Sequence, residues 1–113
     1  MAMTSSTRRE RAIERYLLDS CRKVGFLCLK FVSPVRGGVP DRIVITPTVG
    51  TVFVEVKKPG EQPDPRQRIT HSKMRRFGAQ IHVVDDRRSV NRLIDRLLAG
   101  GRDDESSQHK EAS

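Results

Sequence analysis

The chain has no tryptophan, one tyrosine and two cysteines among 113 residues. So few large rings argue against single-strand binding by base stacking, which needs aromatic platforms along a groove. Cys21 and Cys28 fall inside predicted elements. They read as reduced core thiols rather than a disulfide or a zinc site. Hydrophobic residues make up 35% of the chain, and no apolar run approaches the roughly 18 residues that cross a bilayer. Residues 1–7 carry no apolar stretch of the kind a secretory leader needs. The expected setting is therefore intracellular, with no membrane partner.

Acid is the scarce charge. Fourteen Asp and Glu stand against 22 Lys and Arg, a net charge of +8. Residues 100–113 hold Arg102 and Lys110 against Asp103, Asp104, Glu105 and Glu111, a balance of −2, which leaves +10 on residues 1–99. A small domain with that excess attracts polyanions, of which duplex DNA is the densest common one. The length allows one domain with a small core. Residues 8–99 are expected to form it, with flexible tails over 1–7 and 100–113.

Along the chain, Ile13, Tyr16, Leu17, Cys21 and Val24 recur at intervals of three and four, which predicts an amphipathic helix over 8–24 closed by Gly25. Glu10 and Glu14 flank its apolar stripe, where either can lean toward a buried site or pair with a neighbouring Arg. Residues 26–32 read as a strand packed on both faces or under a helix. After the loop Ser33-Pro34-Val35-Arg36-Gly37-Gly38, Val39 precedes proline and is biased to extended geometry. Asp41 then opens Ile43-Val44-Ile45, a β-branched strand. Residues 46–50 read as a turn, and 51–56 as a second strand ending on Lys57.

Pairing of these two strands as a hairpin brings Asp41 to the end that carries Glu55 and Lys57. Glu55 and Lys57, two apart on a strand, share a face. Charges at the end of an apolar strand are costly unless paired or bound to metal. Two carboxylates meeting there suit Mg²⁺, a hard ion that takes oxygen ligands and keeps several waters. A lysine beside them can orient a water or neutralise phosphate charge. Downstream, Asp64-Pro65-Arg66-Gln67 predicts a helix start with a capping box, and the helix runs to about Phe77. His71 lies one turn after Gln67 on nearly the same face, as a packing residue or in reach of DNA phosphate. Residues 80–84 read as a strand whose helical crossover implies parallel pairing. Asp85-Asp86 caps a last helix with Val90, Leu93, Ile94, Leu97 and Leu98 on one face.

Pro40-Asp41 with Glu55-x-Lys57 resembles the PD-(D/E)xK nuclease superfamily. Gly38-Val39-Pro40-Asp41-Arg42, then Phe53-Val54-Glu55-Val56-Lys57-Lys58-Pro59-Gly60, then Gln67, resemble its VRR-NUC branch (virus-type replication-repair nuclease) in the stand-alone phage form. The fold expected on both counts is α/β: a restriction-endonuclease-like core in the order αβββαβα, with a four-stranded mixed sheet flanked by helices. The resemblance implies a metal-dependent endonuclease for branched DNA, either a Holliday junction or a flap. It implies Mg²⁺ or Mn²⁺ held by Asp41, Glu55 and the Val56 main-chain carbonyl, with Lys57 positioning the attacking water. It also implies a glutamate on the first helix, Glu14 with Glu10 as alternative, acting directly or through water, and Gln67 near Lys57. Arg36, Arg42, Lys58 and His71 are the expected DNA contacts. A homodimer in the host cytoplasm, working with phage replication or recombination proteins, is the expected context. A non-catalytic basic binding module or a structural subunit of a replication complex are the other classes the composition allows.

Overall fold

The computed structural model describes residues 5–33 and 37–101. Its elements run α1 (Ser5–Val24), β1 (Leu27–Lys30), β2 (Arg42–Thr46), β3 (Gly50–Val56), α2 (Pro65–Arg76), β4 (Ile81–Val84) and α3 (Arg87–Leu98). The expected order αβββαβα is the observed one. Helix α1 begins at Ser5, three residues before the expected start at Arg8, because polar residues continue a helix whose later turns are already anchored. Part of the expected loose tails, residues 1–4 and 102–113, lies outside the described residues, as do Pro34, Val35 and Arg36 of the glycine loop.

The strands form one mixed sheet in the order β1-β2-β3-β4. The β2–β3 hairpin is antiparallel, pairing Arg42 with Val54 and Ile43 with Phe53. Strand β4 runs parallel to β3, as a helical crossover requires, with Glu55 opposite Val83. Backbone bonds extend both pairings past the strand ends toward the motif. Phe31 N–H donates to the Asp41 carbonyl at 2.8 Å, and Lys57 N–H to the Val84 carbonyl at 2.9 Å.

Strand alternation sorts the side chains. Val44, Val52, Val54, Val56 and Val84 face α1 and α3, where they meet Ile13, Leu17, Cys21, Val90, Leu93 and Leu97 in the core. Among the described residues the other face receives α2, which packs at the β4 side. Of the two expectations for strand β1, packing on both faces or under a helix, the second holds. It is an edge strand under α1, with Leu27 53% and Leu29 43% exposed, because among the described residues no helix reaches that end of the second face. Both cysteines are free thiols, Cys21 fully buried and Cys28 partly so. No helix among the described residues is long and apolar enough to cross a membrane.

Candidate active site

The α2 face of β3 carries the charged residues. Glu55 follows Phe53 by two on that face and is 1% exposed overall. Its Oε2 lies 3.7 Å from Lys57 Nζ and accepts a 2.8 Å hydrogen bond from Gln67 Nε2. Asp41 arrives from the loop before β2. Its Oδ2 accepts from the Val56 amide at 3.4 Å, and its charge acts on Glu55. Hairpin register thus brings together three groups separated by fourteen and sixteen residues.

The loop that delivers Asp41 is held against α2. Thr70 Oγ1 donates to the Gly37 carbonyl at 3.2 Å. Gly38 adopts φ +83°, and a methyl group there would stand 2.7 Å from Thr70 Oγ1 and 2.9 Å from the Arg66 carbonyl oxygen. Only glycine suits both the left-handed backbone and the close approach. Pro40, next in line, is fully buried.

Gln67 closes the expected capping box and also reaches the carboxylates, touching Glu55 rather than Lys57. Its amide donates to Asp64 Oδ1 at 2.8 Å and its Oε1 accepts from Asp64 N–H at 3.0 Å, closing the capping box of α2. Its remaining polar atom, Nε2, is the one that holds Glu55. The cap therefore fixes the orientation of the side chain that steadies the carboxylate.

Burial raises the Glu55 carboxyl to about 7; the Asp41 charge adds to this, while Lys57 and the Gln67 hydrogen bond oppose it. Asp41 is raised too, first by burial, against the pull of the Val56 amide and with a push from Glu14. Two buried carboxyls that resist ionising together would lose that repulsion to a divalent cation. Glu55 Oε1, buried and without a hydrogen-bond partner, adds an acceptor lacking a donor. Among the described residues no three His, Cys, Asp or Glu side chains converge as a ready-made metal centre. Two carboxylates with room for water fit Mg²⁺ or Mn²⁺ better than a closed site would.

Glu10, Glu14, Asp41 and Lys58 line one open cleft of about 270 Å³ beside the carboxylates. Glu14, the helix residue favoured by motif, is gripped by Arg42, with Nε and Nη2 at 2.9 and 2.8 Å from its Oε2. Glu10 is raised by burial and then by the charge of Asp41, while Glu14 in turn raises Asp41, so both helix carboxyls act on the site. Lys58 sits at the cleft rim, 3.9 Å from Glu61. Glu61 also approaches Lys57 at 4.0 Å; nothing in the loop sequence singled it out.

Two expected DNA contacts are placed otherwise. The Arg42 side chain is 11% exposed and engaged with Glu14. His71 is 2% exposed and points Nε2 at Glu55 Oε1 from 3.9 Å, so it does not meet phosphate from solution. The spacing of four between Gln67 and His71 was the available signal, since both then face the same strand. Arg36 lies outside the described residues.

No protein-family model matches the chain. It is similar to "Putative nuclease p44" of Acyrthosiphon pisum secondary endosymbiont phage 1, 47% identical over 77 residues, covering 68% of this chain and 83% of that relative. A solved VRR_NUC domain matches it with a TM-score of 0.71 and 33% identity, covering 77% of this chain and 95% of that one.

Proposed function

The chain belongs to the VRR-NUC family of nuclease domains, and from that premise we propose that it is a metal-dependent DNA endonuclease hydrolysing phosphodiester bonds. The observation that carries this is the meeting of Asp41, Glu55 and Lys57 on one face, with Glu55 buried and 3.7 Å from the ammonium. Asp41, Glu55 and the Val56 main-chain carbonyl would hold Mg²⁺ or Mn²⁺. Such an ion neutralises phosphate charge and lowers the pKa of bound water. Lys57 orients the attacking water or the phosphate, and Gln67 keeps Glu55 in place. On α1, Glu14, with Glu10 as the alternative, supplies the supporting carboxylate, and Glu14 also pairs with Arg42 at the start of β2.

The basic excess of residues 1–99 draws DNA to the cleft, with Lys58 at its rim. We assign branched DNA as the substrate class, a Holliday junction or a flap, in phage replication, recombination or repair inside the host cytoplasm. Cutting both strands of a junction needs two sites, hence a homodimer. The uncovered sheet face, where Leu27, Leu29 and Ile45 are exposed, supports such pairing.

The test incubates the protein with Mg²⁺ or Mn²⁺ and junction, flap, single-stranded and linear duplex DNA. Metal-dependent cleavage, greatest on branched forms and lost in Lys57→Ala, is expected. Cleavage by Lys57→Ala at the native rate would overturn the mechanism. Sedimentation as a monomer at assay concentration would remove the dimer.

A further inference from the structure

His71 has no part in the chemistry described above, yet it is among the most deeply buried polar residues of the chain. Its side chain is 2% exposed, as is that of Glu55. Its Nε2 has no hydrogen-bond partner, and neither does Glu55 Oε1, the atom it faces at 3.9 Å. A buried polar atom left unsatisfied costs about 1–3 kcal/mol, so two such atoms turned toward one another call for a reason. At 3.9 Å the pair is too long for a hydrogen bond and too close for a solvent layer between them.

The atoms are chemically complementary. An ionised carboxylate only accepts, with about four lone-pair positions over its two oxygens. Gln67 supplies one donor, to Oε2. Nothing else among the described residues donates to Oε1. A neutral imidazole carries one N–H, and burial together with the charges of Arg75 and Lys57 favours that neutral form here. Placed on Nε2, its proton would point at the unsatisfied oxygen.

We infer that His71 is a positioning residue for Glu55: its Nε2–H secures Oε1 while Gln67 secures Oε2, fixing the plane in which the carboxylate meets a divalent cation. Gln67 and His71 project from successive turns of α2 onto the same side chain, so one helix sets both restraints. A small shift of either side chain from the 3.9 Å separation would bring Nε2 within hydrogen-bond distance of Oε1. Residues that orient a metal ligand in this way typically change metal affinity 10–100-fold when removed. This role rests on the metal-dependent reading above.

The test measures Mn²⁺ binding by titration calorimetry without DNA, on the full chain and on His71→Gln, His71→Asn and His71→Leu. The glutamine amide nitrogen falls near the position of Nε2; that of asparagine does not reach it. Affinity within about threefold of native is expected for His71→Gln, and losses of about 10–100-fold for His71→Asn and His71→Leu. The metal-free His71→Leu variant should melt at or above the native temperature, since it removes one unsatisfied buried atom. Equal affinities for the asparagine and glutamine variants would overturn the role, because packing alone would then account for the residue. If His71→Leu fails to fold, the glutamine and asparagine pair decides the question. Native chain that binds no Mn²⁺ overturns the metal-dependent reading itself; native binding with unchanged His71→Asn and His71→Leu overturns only this inference.

Discussion

Toward α1 and α3, strand β3 presents Val52, Val54 and Val56, all at or below 2% exposure; toward α2 it presents Phe53, Glu55 and, just past its end, Lys57. The first face is apolar, close-packed and shared with two helices. The second is covered by one helix over part of its width and holds a buried carboxylate with an unsatisfied oxygen. One face supplies the stability on which the other draws, since desolvated charge and orphaned polar atoms are destabilising by themselves. Substitutions on the two faces should therefore move stability and activity in opposite patterns.

The widest separation is expected at Lys57. Lys57→Ala should lower cleavage of branched DNA about 10³-fold, or about 4 kcal/mol of barrier, with little change in melting temperature. On the valine face, Leu17, fully buried from α1, should behave conversely. Leu17→Ala should cost about 2–5 kcal/mol in denaturant unfolding, while cleavage per folded molecule stays near native. A melting temperature that falls as far in Lys57→Ala as in Leu17→Ala would erase the distinction between the faces.

The acidic face should also make stability pH-dependent. Glu55 is raised from 4.5 to about 7, so the folded state holds a proton that the unfolded state releases between those values. Its contribution is fully present below pH 4.5 and is lost as pH rises through 7, on the order of 3 kcal/mol in metal-free protein. Urea unfolding across that window measures the slope, and Glu55→Gln should flatten it. Smallest is Gln67→Leu. It removes half of the capping box and the Nε2 bond to Glu55, for about 1–2 kcal/mol in thermal unfolding. It should also weaken Mn²⁺ binding.

Periodicity made most of the fold legible. The hairpin, the parallel crossover and the caps at Asp64 and Asp86 follow from local patterns, because turn and cap chemistry acts within a few residues. The core of the candidate site was legible as well: Glu55 and Lys57 share a face by strand alternation, and the hairpin brings Asp41 to their end of the sheet. The helix glutamate stayed open between Glu14 and Glu10, which flank the same stripe; the fold adds that Glu14 pairs with Arg42. Arg42 looked like a surface cation, and His71 stayed open between packing and DNA contact, because helical and strand spacing show which side a residue takes but not what covers it. The openness of β1 was hidden for the same reason. Its apolar run fits a covered strand, and the missing cover is a property of how few helices reach that face.

From the chain alone come the elements, their order, the positive charge and the acid–acid–lysine motif, all set by short-range spacing and composition. What folding in three dimensions decided is which groups spend their charge on one another. It joined Glu14 to Arg42 across 28 residues, turned His71 inward onto Glu55, and left Glu10 beside Asp41. Those pairings depend on distances between elements, and they arise only when packing of α1 and α2 against opposite faces of the sheet sets them.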